Sequence, residues 1–289
     1  MDGIFLIDKD KGCTSRDVVN EIIKKVETKK VGHTGTLDPL ATGVLVVCVG
    51  KATKLVDMLT SEEKEYIAEI TLGIETDSLD ITGNILKEEQ VNITKEEIIK
   101  VLNNFKGEYD QEVPAYSAIK INGKKLYEYA REGIDIELPK RNVSIKEIEL
   151  VSDIKYENNR IIFSIKCLVS KGTYIRSLVR DIAHKLNTIG VMSELRRTKL
   201  GKFSINDCKL IDELKINNML NVSEVLTDYT NIKVHESLKK DILNGKIIDN
   251  IYGSEKIVFL DEENKVLAIY KKYEKDNNKI TPYIVLGGI

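Results

Sequence analysis

Residues 32–43 read GHTGTLDPLATG and run directly into the apolar stretch VLVVCVG. No other segment restricts the fold as strongly. Three glycines, three threonines and a proline within twelve positions leave no helical or strand periodicity, so the segment reads as a loop. The apolar stretch behind it does not alternate with polar residues, which marks a buried strand. The fold therefore has to bury this strand and fix the backbone of the loop that feeds it.

The flanking segments supply the other elements. GIFLI at 3–7 is a short apolar strand ending in the polar turn DKDKG. A helix follows, with Thr14 and Asp17 at capping-box spacing and Val18, Val19, Ile22, Ile23 and Val26 along one face. EYIAEITLG at 65–73 is an alternating strand. A helix is predicted from Thr94 to Phe105, capped by Thr94 with Glu97 and stopped at Gly107. Residues 113–133 interleave basic side chains with tyrosines, and RIIFSIKCLV at 160–169 alternates as a strand. A further helix begins at SKGTYIR with Thr173 as its expected N-cap. Ile175, Leu178, Val179, Ile182, Ala183 and Leu186 form its apolar stripe, and Gly190 lies just past its end. Beyond residue 230 come the strand-like pieces KIVFL, KVLAIYKK and PYIVLGG, with DEEN as a turn between the first two. Strands and helices mix without regular βαβ alternation, which predicts an α+β fold with a mixed, mainly antiparallel sheet. The change of texture divides the chain into 1–230 and a small β domain at 231–289.

Composition excludes several classes. A chain of 289 residues, 42% of them hydrophobic, can bury a sizeable core. No run approaches the ~18 apolar residues of a membrane helix, and Met1 leads into GIFLIDKDKG without a signal peptide's layout, so the expectation is a cytoplasmic protein with no membrane partner. The four cysteines form no CxxC pair and the three histidines are scattered, so no metal site built on them is expected. The net charge of −2 hides a polarity: residues 160–202 carry ten basic and two acidic side chains, whereas 61–159 carry 13 basic and 22 acidic. A basic block of this kind is what a phosphate-facing surface requires.

Three residues carry candidate chemistry. Asp38 sits in the glycine-rich loop before Pro39, either as a turn aspartate bonding its own backbone or as a carboxylate that Gly35, Pro39 and Gly43 hold in one direction. A nucleotide-phosphate reading of the loop fails on spelling: Ala52 follows Gly50-Lys51 and position 45 is leucine, so there is no GxxxxGK[ST]. GxGxxG and GxSxG are absent as well. Arg176 places a cation in a helix's first turn, against the helix dipole, and so calls for an anion such as phosphate or Asp38, unless it is simply solvated. Tyr66 opens an alternating strand, either as a packing residue or as a platform for an extruded base.

Taken in order, DKDKGCTS at 8–15, GHTGTLDPLATGVL at 32–45, KEYIAEITLG at 64–73, VPAYSAIKINGKKLYEYAREG at 113–133, SKGTYIRSLVRDIAHKL at 170–186 and LRRTKLGKF at 195–203 resemble the TruB family of bacterial tRNA pseudouridine-55 synthases. The resemblance spans most of residues 3–203. It implies a pseudouridine synthase catalytic domain whose catalytic aspartate is Asp38, with Tyr66 stacking on the target base and Arg176 pairing with the aspartate. His33, Tyr174 and Leu195 match positions lining the nucleotide pocket, and Lys9 and the 113–133 segment match blocks near RNA or core. The first block departs from the family, with Asp10 where proline commonly follows its lysine. The tail, with ILNGKII at 242–248, resembles the small PUA-like RNA-binding module of these enzymes, expected to touch the acceptor side of tRNA.

The implied reaction breaks the N1 glycosidic bond, turns the uracil and joins C5 to C1′. It needs no cofactor, redox or nucleotide. The base must leave its stack, so an aromatic side chain has to replace the lost stacking. Asp38 would act as a nucleophile at ribose or base, or stabilise a short-lived intermediate, and Tyr66 could accept a proton. The partner is the T-arm of tRNA, handled by a monomer without guide RNA. A guide-dependent catalytic subunit and a non-catalytic RNA-binding or tRNA-folding protein are the rival readings. The compact tail without a basic extension speaks against the first, and the Asp38–Arg176 combination against the second.

Overall fold

Successive residues of the opening strand and the loop-fed strand point into two different cores. In the computed structural model, which describes residues 1–289, Gly3–Lys9 pairs antiparallel with Thr42–Val49, from Gly3 opposite Val49 to Lys9 opposite Gly43. Phe5, Ile7, Leu45, Val47 and Val49 face one buried cluster, and Ile4, Leu6, Val44, Val46 and Cys48 face the other. Cover on both faces is why the apolar run shows no alternation; each such side chain contributes about 1.5–3 kcal/mol by leaving water.

The main sheet runs in the order Gly3–Lys9, Thr42–Val49, Gly190–Leu200, Lys64–Leu72, Arg160–Val169, Lys140–Leu150, Gly107–Glu112. Within this path only Gly190–Leu200 and Thr42–Val49 pair in parallel, with Arg196 opposite Thr42 and Arg197 opposite Gly43. The fold is the expected α+β type with a mixed, mainly antiparallel sheet. The helices Ser15–Val26, Lys95–Asn104 and Ile175–Lys185 cover one face, and the capping boxes at Thr14 with Asp17 and Thr94 with Glu97 are both formed. The other face is covered near the opening strands by residues 50–60 and by the C-terminal sheet, whose Val258, Leu260, Val266, Ile269 and Leu286 enter the same core. That second sheet has the order Thr230–Lys233, Lys256–Leu260, Val266–Tyr273, Asp276–Val285, Ile248–Asp249. No helix is long and apolar enough to cross a membrane.

Two helix-end expectations are corrected. The third helix takes Tyr174, not Thr173, as N-cap: the Gln111 side chain accepts from the Tyr174 amide at 2.8 Å and donates to its carbonyl at 3.1 Å, while the Thr173 hydroxyl turns back to the Ser170 carbonyl. Gly190 does not end that helix. Asn187 takes the left-handed conformation there (φ 56°), and Gly190 opens the central strand where a Cβ would meet Leu72 and Ala183.

At Gly43 the chain leaves the loop with φ +102°, and a Cβ would sit 2.2 Å from the Arg197 carbonyl oxygen. Gly43→Ala should therefore lose ~3 kcal/mol, combining backbone strain with overlap against a neighbouring strand. Gly12→Ala, with φ +90° and open space around it, should lose only ~1 kcal/mol. Urea titration of both variants checks the difference; equal losses would contradict the close approach.

Candidate active site

The loop from Thr34 to Ala41 is pinned on both sides of Asp38. The Thr34 amide donates to the Val46 carbonyl (3.0 Å), the Leu37 amide to the Ser15 hydroxyl (2.9 Å), and the Gly12 amide to the Pro39 carbonyl (2.8 Å). Leu37, Leu40 and Ala41 are buried beneath it. These anchors leave the Asp38 side chain free of the local backbone, so it is not a turn aspartate. Its carboxylate meets Arg176 instead, with Nε 3.0 Å from Oδ2 and Nη2 3.2 Å from Oδ1. Arg176 also donates to the carbonyls of Ser78 and Tyr116, both at 3.0 Å, and stands 3.9 Å from the buried Asp80 carboxylate. Four of its five N–H groups thus have close partners, and two carboxylates near the helix N-terminus offset the dipole that a lone cation would oppose there.

Asp38 and Arg176 open into a cavity of about 430 Å³ that Tyr66, Tyr174, Leu195 and Arg197 also line. Tyr66 is 6% exposed, in a strand paired on both sides, and sits directly across from Arg197 in the sheet. Burial pushes the Tyr174 phenol up, so it stays protonated at neutral pH. His33 lies at the start of the loop and is not among the residues lining this cavity. Burial, then Arg16 and Arg197, hold its imidazole below the usual histidine range, which keeps it neutral near pH 7, and its buried Nδ1 has no partner. A second hollow of about 470 Å³, at Gly73, Glu88, Asn158 and Arg160, is lined by no hydrophobic residue and offers nothing for a base to stack on.

The structure therefore joins Asp38, Tyr66, Tyr174, Arg176 and Leu195 and leaves His33 outside. It adds three charged groups that the sequence reading did not single out: Asp80, Lys64 and Arg197. It also redistributes the basic block. Seven of its ten cations pair with carboxylates: Arg160 with Glu88, Lys166 and Lys199 with Glu65, Arg176 with Asp38, Arg180 with Glu112 and Asp181, Arg196 with Asp8, and Lys202 with Asp228. Four of these, Arg160, Lys166, Arg180 and Lys199, pair with carboxylates of the acidic stretch 61–159. Residues 116–131 overhang the cavity through Tyr116 and Tyr127 and carry Lys120, Lys125 and Arg131 without carboxylate partners; Lys125 and Arg131 each lie 5.3 Å from the Tyr127 ring.

Residues 23–175 match the family model described as TruB family pseudouridylate synthase (N terminal domain), and residues 176–232 match the tRNA pseudouridylate synthase B C-terminal domain. Among curated relatives, the tRNA pseudouridine synthase B of Alkaliphilus oremlandii is 45% identical, the match covering 91% of each chain. That of Bacillus subtilis is 40% identical over 99% of this chain and 98% of its own, and that of Staphylococcus aureus 40% identical over 97% of each. Among solved structures, a Cbf5-Nop10-Gar1 complex aligns with TM-score 0.69 at 24% identity, and an H/ACA RNP bound to a substrate RNA containing 2'-deoxyuridine with TM-score 0.68 at 23%. Each alignment covers 99% of this chain and 84% of the other, and at these identities what is shared is the fold.

Proposed function

Because the chain belongs to the TruB family of pseudouridylate synthases, it is an isomerase that turns uridine into pseudouridine in tRNA, and we propose that it acts on uridine 55 of the T-loop through Asp38. The bidentate Asp38–Arg176 pair, held at the edge of a cavity large enough for one base, carries this reading. Arg176 orients the carboxylate and offsets the cost of removing it from water. Tyr66 supplies a face for the extruded uracil, and Leu195 and Tyr174 close the remaining walls. Asp38 then assists departure of uracil from C1′, by attack or by stabilising what forms, and the uracil turns so that C5 returns to the same carbon. Tyr66, which lines the same cavity, could accept the C5 proton. The tyrosine- and lysine-rich segment above the cavity serves the RNA backbone. The segment 231–289, packed against the catalytic body through a shared core, serves as a PUA-like RNA-binding module.

We further propose a stand-alone cytoplasmic enzyme that acts as a monomer, with no guide RNA. The chain's identity to the curated tRNA enzymes is well above its identity to the RNP proteins. Purified chain incubated with an unmodified tRNA transcript alone should form one pseudouridine per molecule, at position 55. Activity that appeared only after adding a guide RNA and partner proteins would overturn the stand-alone reading. Tyr66→Leu should slow this reaction ~10- to 100-fold, as expected when one base-stacking partner worth ~1–3 kcal/mol is lost; an unchanged rate would remove Tyr66 from the site.

A further inference from the structure

Arg197 is 1% exposed, yet its polar contacts are all neutral oxygens: the Val44 carbonyl at 2.6 Å, the Gly35 carbonyl at 3.3 Å and the Tyr66 hydroxyl at 3.5 Å. A guanidinium cannot shed its proton to escape such a setting, and burying one without a carboxylate is costly. Lys64 is 7% exposed and lines the same cavity; its ammonium donates to the Thr60 and Glu62 carbonyls at 2.8 and 2.7 Å. The two cations meet under the loop: a Cβ on Gly35 would lie 3.7 Å from both Arg197 Nη1 and Lys64 Cε. Burial, then Arg197 and Lys171, push the Lys64 ammonium down to about 8 against the pull of Glu62, as expected of a cation held among cations. Arg176 already neutralises Asp38, so this pair leaves the cavity with a net positive field.

The reaction supplies the missing negative charge. When N1–C1′ breaks, the bonding electron pair stays with uracil N1 and spreads onto O2 and O4, while C1′ becomes cationic or bonds to Asp38. The same delocalised electron pair forms the new C5–C1′ bond, with any C1′–Asp38 bond breaking as it forms; the C5 proton then passes to a base in the cavity and N1 takes up a proton, so the net change is an isomerisation. We propose that Arg197, assisted by Lys64, stabilises the negative charge that uracil carries while it is detached from C1′. This rests on the pseudouridine synthase reading of the site and gives it an electrostatic element separate from Asp38 and Arg176. The field is fixed before substrate arrives and acts where water is excluded, which is where such a charge is most effective.

The test compares single-turnover cleavage of the target glycosidic bond in T-arm RNA carrying uridine or 5-fluorouridine. Fluorine withdraws electrons and already stabilises the departing anion. Arg197→Met is expected to slow the uridine reaction ~100-fold and the 5-fluorouridine reaction less than ~10-fold, with RNA binding unchanged. Arg197→Lys, which keeps the charge, should recover most of the uridine rate. Equal losses on the two RNAs, or Arg197→Lys as slow as Arg197→Met, would overturn the proposal in favour of a purely structural role. Should Arg197→Met fail to fold, Lys64→Met read by the same ratio decides. Wild-type chain inactive on uridine RNA is a distinct result, sinking the reading beneath it.

Discussion

Asp38→Asn is expected to lower pseudouridine formation by roughly 10⁴-fold or more, the scale on which losing a covalent or charge-stabilising carboxylate acts. The substitution keeps shape and changes charge. An amide can still accept one hydrogen bond from Arg176, but its NH₂ faces a guanidinium that can only donate. The carboxylate's capacity to attack or stabilise a cationic C1′ is lost with its charge. Folding should barely change, because the Asp38 side chain is 33% exposed and Arg176 keeps its bonds to the Ser78 and Tyr116 carbonyls. Binding to T-arm RNA should likewise persist, since the cations proposed to meet the RNA backbone are Lys120, Lys125 and Arg131 on the segment above the cavity. Tritium release from C5-labelled RNA, read beside a binding titration, measures both; a variant that binds poorly as well as failing to react would move Asp38 from chemistry to RNA recognition.

Arg176→Met has the second-largest expected effect and acts on stability as well as rate. It leaves Asp38 and the buried Asp80 carboxylate without the cation between them, and strips two carbonyls of their donor. Removing one partner from a largely buried pair costs about 3 kcal/mol, and misdirecting Asp38 should cost ~10³ in rate. Arg176→Lys separates these effects. A point charge replaces the fork, so much of the stability should return while the rate stays low, because one ammonium cannot hold both Asp38 oxygens and two carbonyls in one geometry. Urea titration and single-turnover rates of the two variants provide the comparison. Full activity in Arg176→Lys would mean that charge alone, without the fork, positions Asp38.

Local signals were the legible ones. Thr14 with Asp17 and Thr94 with Glu97 spell capping boxes that form as written, and the uninterrupted apolar run at 44–49 is a strand covered on both faces. Where distant groups intervene, local spelling misleads. Gln111, from a strand on the far edge of the sheet, fixes Tyr174 as the N-cap that Thr173 was expected to be. The central strand Gly190–Leu200 was not marked as one because its register shifts between Met192 and Glu194 and again between Arg197 and Lys199, so its side chains do not alternate in sequence. Arg197 was hidden with it. Asp38, Tyr66 and Arg176 each had an ordinary structural reading, and the six ordered motif blocks, more than any local pattern, singled them out.

The most direct test of the account is a nucleotide-resolution map of pseudouridine in one unmodified tRNA transcript, treated in parallel with wild-type chain and with Asp38→Ala. The account predicts a single pseudouridine at position 55 with the wild type and none with the variant, at equal RNA occupancy. Modification at another position, or pseudouridine that survives in Asp38→Ala, would contradict it.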